Sequence, residues 1–417
     1  MAGATAPLLV WLAPRVPDTR RTLIVIFLTG AAMRALMVAS LPVLEDDSYR
    51  YLWDGAVAAH GVDPYANAPV DASPIDSFGN PRAAVEDADL ETLRGLAEAA
   101  PEVHRRINFP YVKTIYPPVA QAGFAIAHWL SPFDLTSWKL VLFAVDIGAF
   151  ALLTRLLAQM GKSRVWTTLY WWNPIVLVQV FGAAHMDGLL APFILGAALL
   201  ANRDRPAWTG LALAGAAAVK FWPLLLAPAL ARRWLFQWRS LIVFGAVLGA
   251  ATLLLLWPQL RHLTDPATGV AVYSESWRRN AFLFAVLEDG AFAWAADPGR
   301  VARVFVAAAV SGFALWMAWK SPPDGSAAPT AMLAAAAALF FLSPTGYPWY
   351  FVWLAVLLPM APSYGIAALS ATLPLYSLRF LLGDETAVFQ WGVVPFAFGL
   401  PLAILALEAL RARRRPV

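Results

Sequence analysis

Long apolar runs separated by short polar or basic stretches make up most of the chain after residue 22. A run of about 20 apolar residues can cross the hydrocarbon core of a bilayer as a helix. The predicted spans are 22–44, 138–158, 165–181, 186–201, 207–231, 237–257, 300–319, 328–342, 349–360, 364–382 and 387–409, with a shorter apolar piece at 281–296. The pattern therefore predicts an all-α polytopic membrane protein with about twelve transmembrane helices, within a range of roughly 10–13.

Two apolar runs do not fit a simple span. The run 116–132 offers only about 14 residues between prolines and polar ends, which is short of the ~20 needed to cross. It is predicted to be a re-entrant or surface-lying helix. The run 207–231 is interrupted by Lys220 and Pro223, which predicts two half-helices that form a hairpin.

Basic residues predict the orientation of the spans. Arg15, Arg20 and Arg21 precede the first span, and no small-residue cleavage site follows it. The segment is therefore expected to be an uncleaved signal anchor that starts in the cytoplasm. The basic tail from Arg411 to Arg415 predicts a cytoplasmic C-terminus as well.

The loop 45–115 then lies outside the cytoplasm. It carries thirteen acidic residues against six lysines and arginines, and it contains a predicted helix at 83–100. A loop of this length is usually functional rather than a connector. We interpret residues 1–417 as one integral-membrane domain with this extracytoplasmic loop inside it.

Composition excludes several other classes of protein. A chain with 60% hydrophobic and 14% charged residues cannot be a soluble globular domain. The 19 tryptophans suit the aromatic belts at the two membrane interfaces, and the absence of cysteine excludes disulfides. The basic residues are dispersed among short loops, which does not favour a nucleic-acid partner.

Polar residues within apolar surroundings converge on the outer side of this topology. They are Asp46 and Asp47 after the first span, His185 and Asp187 in an outer turn, Arg278, Arg279 and Asn280 in a later loop, and Tyr347 in another, while Lys220 lies within the bilayer. Each has a structural alternative: an acidic collar, a helix cap at Asp187, a solvated arginine pair or belt aromatics. The convergence itself favours a binding pocket.

Charges inside the apolar runs need partners. A lysine at the middle of a membrane-spanning helix costs roughly 3 kcal/mol or more, so Lys220 is expected to have an anion nearby. Arg34, in the middle of the first span, is interpreted as a buried partner for a carboxylate of the bundle, without a chemical role.

These residue types suit the transfer of a group from an anionic lipid-linked donor to a hydroxyl acceptor. Asp47 could accept the proton of the hydroxyl, while Lys220, Arg278 and Arg279 could stabilise the departing phosphate. A divalent metal held by aspartates and His185 is a second possibility. Two adjacent carboxylates and a distant pair are a weak metal signature, so no cofactor is expected to be required.

The motifs EDDSYRYLWDG, GVDPY, TIYPPVAQ, WWNPIVL, HMDGLL and AVKFWPLLLAP occur in that order along the chain. Over roughly residues 20–360 the chain resembles the GT-C superfamily of integral-membrane glycosyltransferases, and among them the bacterial polyprenol-phosphate-mannose-dependent mannosyltransferases. The resemblance implies a catalytic carboxylate on the first outer loop and inversion at the anomeric carbon. It also implies a polyprenyl-phosphate hexose donor, with mannose favoured, and a glycan or glycolipid acceptor. An active site facing the periplasm from the bacterial inner membrane is expected.

Carried over by position, the resemblance makes Asp47 the catalytic base, with Asp46 beside it. His185 and Asp187 match the second outer motif, and Lys220 matches a lysine before an aromatic-proline pair. The implied substrate-binding set also includes Arg278, Arg279, Asn280, Tyr116 and Tyr347, of which Arg279 and Asn280 fall in a weaker match. From this sequence we do not expect the soluble C-terminal domain that several relatives have, which leaves the acceptor open.

Two functions of other classes remain as alternatives. One is a transporter or flippase of lipid-linked sugars, and the other is a non-catalytic protein that binds glycolipid. A transporter needs ionisable groups along a route through both leaflets, whereas the carboxylates here crowd one face.

Overall fold

The computed structural model describes residues 5–73, 87–383 and 386–413, and over these ranges the protein is helical. The α-helices are α1 (Thr5–Leu12), α2 (Arg20–Val38), α3 (Asp47–Ala59), α4 (Ala88–Ala99), α5 (Pro101–Arg105), α6 (Pro118–Leu130), α7 (Leu135–Gln159), α8 (Thr168–Trp171), α9 (Pro174–Val176), α10 (Leu190–Asn202), α11 (Pro206–Ala217), α12 (Ala227–Ala231), α13 (Trp238–Leu260), α14 (Gly269–Ser276), α15 (Leu283–Val286), α16 (Pro298–Lys320), α17 (Ala328–Leu342), α18 (Val352–Ala355), α19 (Tyr364–Thr372), α20 (Arg379–Leu382) and α21 (Val394–Arg413). An isolated bridge between Arg279 and Thr345 is the extended pairing found in the described ranges. The predicted all-α class is confirmed.

The number of long spans is smaller than the predicted twelve. Among the described residues, six helical stretches are long and apolar enough to cross a membrane: α2, α7, α13, α16, Tyr364–Leu382 and Phe389–Arg413. A seventh is counted if the helices Pro174–Gly182 and Met186–Asn202, which meet at an angle of 109°, form one broken span. Several of the other apolar runs fold as short helices whose surroundings are protein, so their hydropathy reflects burial in the bundle as much as contact with lipid.

The first span ends earlier than predicted. The prediction was 22–44, but α2 runs from Arg20 to Val38, with the Thr19 hydroxyl accepting from the backbone N–H of Thr22 at its start. At its end, the buried Lys139 ammonium donates to the carbonyls of Met37 and Ser40 at 3.2 and 2.6 Å. A cation that binds the last free carbonyls stabilises a helix terminus there.

Short helices occupy the described part of the outer loop. The predicted helix 83–100 corresponds to α4, which begins at Ala88 and ends at Ala99 before Pro101, while residues 83–86 of that prediction lie outside the described residues. Helix α3 packs on α6, where a Cβ at Gly55 would lie 2.5 Å from the Phe124 carbonyl oxygen. Only glycine permits this approach, which fixes the second half of α3 against the bundle.

The two runs that were predicted not to be simple spans are short or broken in the structure, while the re-entrant or surface-lying placement of 116–132 and the hairpin of 207–231 stay predictions. Helix α6 has 13 residues, and at about 1.5 Å per residue it is too short to cross a hydrocarbon core of roughly 30 Å. In the run 207–231, α11 ends at Ala217 and a 3-10 helix begins at Trp222. Lys220 lies in the break between them.

The buried partner expected for Arg34 is Asp146. The Arg34 Nε atom lies 2.6 Å from the Asp146 Oδ2 atom, and neither side chain is more than 2% exposed. The same guanidinium donates to the Trp171 carbonyl at 2.6 Å and lies over the Trp171 ring. The interaction joins α2, α7 and α8 within the bundle core.

Candidate active site

A cavity of about 570 Å³ opens beside the start of α3 and is lined by segments that are far apart in sequence. Seven of the residues predicted for the site line it: Asp46, Asp47, Tyr116, Asp187, Lys220, Arg279 and Tyr347. The structure therefore brings together residues separated by as many as 300 positions, as the convergence of polar motifs predicted.

Asp46 and Asp47 begin the helix that points into the cavity. Asp46 is the residue before α3 and Asp47 is its first residue. The Asn108 amide donates to an oxygen of each, at 2.9 Å to Asp46 and 2.6 Å to Asp47. One amide that donates to both carboxylates reduces their mutual repulsion and fixes the direction in which Asp47 points.

Burial raises the pKa of the Asp47 carboxyl to about 6. The Asn108 hydrogen bond opposes this rise in pKa, and the neighbouring Asp46 charge adds to it. Asp47 is therefore mostly ionised near neutral pH and can accept a proton there. Its side chain keeps 22% of its surface exposed, so a substrate hydroxyl could reach it.

His185 lies behind the cavity wall, where it contacts Asp47 without lining the cavity. It is fully buried, and its Nδ1 atom is 3.6 Å from the Asp47 carboxylate and 3.3 Å from the Tyr51 hydroxyl. Its ring stacks on Trp349 at 4.0 Å, and Trp349 stacks on Tyr347 at 4.3 Å. His185 thus supports Asp47 and this aromatic stack from behind.

Asp187 and Lys220 form an ion pair on the cavity wall. The Lys220 Nζ atom lies 2.8 Å from Asp187 Oδ1, and the Trp353 indole donates to the same oxygen at 2.7 Å. The anion expected near Lys220 is therefore Asp187. The ammonium also lies over the Tyr350 ring at 4.0 Å and retains 25% exposure, so it can still contact a ligand in the cavity.

Besides His185, two further predicted site residues do not line the cavity. The Arg278 guanidinium points away from it to form ion pairs with Glu288 at 2.7 Å and Asp289 at 2.5 Å. The Asn280 side chain is buried and donates to the Gly346 carbonyl at 2.6 Å, which holds two loops together. A structural role accounts for both side chains.

Arg379 and Glu45 line the cavity although sequence reasoning did not select them. Arg379 packs over Tyr376 at 4.6 Å, and its charge lowers the pKa of Glu45 while burial, the larger effect, raises that pKa to about 8. A usable signal existed for Arg379, since it is a lone charge within the apolar run 364–382, as Lys220 is within 207–231. Glu45 had the weaker signal of adjacency to Asp46.

Two loop residues, Asn108 and Trp277, and Tyr273 of α14 also line the cavity. Their place in it depends on how α14 packs, because the backbone of Gly269 at its start approaches the Lys113 carbonyl too closely for any Cβ. No sequence pattern reports such a contact, so these residues could not be predicted.

Three non-glycine residues with positive φ adjoin site residues. They are Phe109 (49°), Ala184 (65°) and Asn280 (52°), which stand next to Asn108, His185 and Arg279 respectively. Left-handed backbone at Phe109 and Ala184 costs on the order of 1–3 kcal/mol, whereas asparagine adopts it more readily, and such strained residues cluster at ligand sites. These residues therefore adjoin the same cavity that the predicted charged residues line.

Within the described ranges, no group of three or more His, Asp or Glu side chains is arranged to hold a metal ion.

The part of the chain that matches a known protein family contributes several residues to this cavity. Residues 114–345 match the family model for Glycosyltransferase family 87, which is more than half of the chain. The chain is also 25% identical over 426 residues to Alpha-(1->6)-mannopyranosyltransferase A of Mycobacterium tuberculosis, covering 93% of this chain and 76% of that protein. The resemblance drawn from the motifs is confirmed at the level of the glycosyltransferase family.

Proposed function

The chain belongs to glycosyltransferase family 87, and we propose that it transfers mannose from a polyprenyl-phosphate-linked donor to a hydroxyl of a glycan or glycolipid, with inversion. The observation that carries the proposal is one cavity that holds an accessible carboxylate, Asp47, together with Lys220, Arg279 and Arg379. The choice of mannose follows the name of the mycobacterial relative.

Asp47 is the proposed general base. It takes the proton of the acceptor hydroxyl as that oxygen attacks the anomeric carbon of the donor. The bond between that carbon and the phosphate oxygen breaks, and the phosphate leaves with the bonding electrons. Attack on the face opposite the leaving phosphate inverts the anomeric centre, so the base and the phosphate site must lie on opposite sides of the sugar.

Arg279 and Arg379 are the proposed phosphate ligands, with Lys220 as a third cation. Arg379 lies over the Tyr376 ring at 4.6 Å, and the Tyr376 ring lies 6.1 Å from the Tyr347 ring. The residue before Tyr347, Gly346, donates its backbone N–H to the Arg279 carbonyl at 3.0 Å. The two arginines therefore flank one part of the cavity. Charge that grows on the leaving phosphate is stabilised most where such cations are already in place.

We place this site on the outer face of the bacterial inner membrane, with both termini in the cytoplasm. The support is the acidic loop 45–115 and the basic loops between the other spans. A polyprenyl chain would remain among lipids while its phosphate meets the cations.

The pH dependence of transfer should report Asp47. Because the base must be ionised and its pKa is about 6, kcat/KM is expected to fall about tenfold per pH unit below 6 and to level off above it. Asn108→Ala removes a hydrogen bond that lowers this pKa, so the acid limb should shift to higher pH. Initial rates from pH 4.5 to 8 test both statements, and an acid limb that stays in place in Asn108→Ala would contradict the assignment to Asp47.

Removing a phosphate ligand should affect donor binding. Arg379→Ala is expected to raise the donor KM by roughly 10- to 100-fold, since a hydrogen bond to a charged group contributes about 1.5–3 kcal/mol. Lys220→Ala should weaken donor binding less, because Asp187 already offsets part of the Lys220 charge. Arg278→Ala is the matched control, since its guanidinium pairs outside the cavity. Unaltered donor affinity in Arg379→Ala and Lys220→Ala would remove the phosphate role.

The function itself is tested by radiolabelled transfer. Membranes containing the protein are incubated with a panel of polyprenyl-phosphate sugars, and the products are analysed by mass. Labelled mannose in a glycan or glycolipid is the expected result. Transport of intact donor without transfer would instead support the flippase alternative.

A further inference from the structure

An aromatic wall closes one side of the cavity. It consists of Phe109, Trp277 and Tyr273, and all three line the cavity. The Phe109 ring meets the Trp277 ring at 4.6 Å and 64°, and Trp277 stacks on Tyr273 at 5.6 Å and 28°. The wall joins the first outer loop to α14, and the same two segments also meet where Gly269 approaches the Lys113 carbonyl.

Phe109 has two features that folding alone does not explain. Its side chain is 53% exposed although it is large and apolar, and its φ is 49°. This backbone conformation is strained for a bulky residue, whereas glycine or asparagine would adopt it at little cost. A phenyl ring retained in a strained, exposed position is better explained by a ligand that covers it.

The position of the Phe109 ring indicates which ligand covers it. Phe109 directly follows Asn108, whose amide contacts Asp47 at 2.6 Å. The base must lie within hydrogen-bond reach of the hydroxyl that it deprotonates, so the acceptor sugar has to sit beside Asp47. Arg379, which is proposed as a ligand of the donor phosphate, lies over the Tyr376 ring at 4.6 Å, and the Tyr376 ring contacts Tyr347 and Phe389 rather than the aromatic wall.

We propose that Phe109 and Trp277 bind the acceptor as a pyranoside, by stacking against the C–H face of its ring. Those C–H groups carry partial positive charge, and they meet the negative faces of the aromatic rings while the hydroxyls stay directed to Asp47 and to water. This proposal rests on the proposed function and adds to it the class and the site of the acceptor.

A membrane-anchoring role for the loop makes a different prediction. Exposed aromatic residues at an interface insert among lipid headgroups. Tyr111, two positions further along the same loop, is 73% exposed and does not line the cavity. If the loop served as an anchor, replacing Tyr111 would have at least the effect of replacing Phe109.

The test uses the full-length protein in membranes, a labelled polyprenyl-phosphate mannose donor, and octyl α-mannopyranoside as the probe acceptor. The variants are Phe109→Gly, Phe109→Tyr, Trp277→Ala and the control Tyr111→Ala. Phe109→Gly removes the ring and relieves the backbone, so loss of folding does not confound it. We expect Phe109→Gly and Trp277→Ala to raise the acceptor KM about 5- to 10-fold with donor KM unchanged. Phe109→Tyr, which keeps an aromatic ring, should have a lower acceptor KM than Phe109→Gly, and Tyr111→Ala should behave as the wild type.

Three results would overturn the acceptor site: an unchanged acceptor KM in Phe109→Gly, an equal change in Tyr111→Ala, or a rise confined to donor KM. The site is also overturned if the wild type transfers mannose to its membrane acceptor but octyl mannoside neither accepts mannose nor competes. Absence of any transfer by the wild type from the donor panel would instead contradict the proposed function, so the two failures are distinguishable.

Discussion

Asp47→Asn is expected to bind the lipid-linked donor normally and to transfer sugar on the order of 10³-fold more slowly than the wild type, within the usual range for loss of a general base. The amide has nearly the same shape as the carboxylate, and it can present its carbonyl oxygen to Asn108, which donates to Asp47 at 2.6 Å. Folding and the start of α3 should therefore be preserved. Only the ability to accept the acceptor proton is lost.

Two measurements on the same preparation test this prediction. Initial rates with saturating donor and acceptor give kcat, and binding of labelled donor gives an affinity independent of chemistry. Asp46→Asn is the matched control, because Asp46 shares the Asn108 amide at 2.9 Å but stands before α3. A comparable loss in both variants would indicate an electrostatic role for the pair, and unchanged transfer by Asp47→Asn would remove the catalytic assignment.

The parts of the site that sequence could predict are those where a charge conflicts with its surroundings. Lys220 in an apolar run required an anion, and the anion is Asp187, 33 positions earlier. Arg34 required a carboxylate, and Asp146 supplies it. The cost of an isolated charge in hydrocarbon is what makes such pairs predictable. The partner's identity still required the fold.

Neighbouring residues in a loop were harder to assign. Arg278 and Arg279 have the same chemistry, yet Arg279 lines the cavity and Arg278 pairs with Asp289 outside it. Arg279 forms an extended bridge with Thr345, and in extended backbone successive side chains point to opposite sides. The sequence contains no signal for the register of that bridge, so it could not tell the two arginines apart.

The predicted count of spans exceeds the number of long apolar helices in the described ranges for a related reason. Hydropathy does not distinguish a helix that faces lipid from one that is buried among other helices. Helix α17, predicted to within a residue as 328–342, has only 15 residues, and many of its side chains are buried in the bundle. The 349–360 run is shorter still, with α18 spanning only Val352–Ala355. The apolar composition correctly predicted a membrane protein. The length of each helix in the folded chain decides whether that helix can cross the bilayer.

Breaking the Arg34–Asp146 pair should produce the largest loss of stability. Arg34→Met leaves a buried carboxylate without its cation, and removing one partner of a buried pair typically costs about 3–5 kcal/mol. The 2.6 Å contact is fully enclosed, with side-chain exposures of 0% and 2%, so water cannot replace the lost charge. The double variant Arg34→Met with Asp146→Leu removes both charges and should recover most of the stability.

The midpoint of SDS-induced unfolding in mixed micelles measures these differences. Glu102→Gln is the control, since its ion pair with Arg105 is exposed by 68% and 71% and should change stability by less than about 0.5 kcal/mol. An Arg34→Met midpoint equal to that of Glu102→Gln would contradict a structural role for the pair. The pair joins α2, whose end leads into Asp47, to α7 and α8. Arg34→Met is therefore also expected to lower transfer, because a smaller fraction of the protein is folded. The donor KM of the protein that remains folded should be unchanged. A raised donor KM in Arg34→Met would instead connect this pair to the cavity and show that the scaffold and the site are energetically coupled.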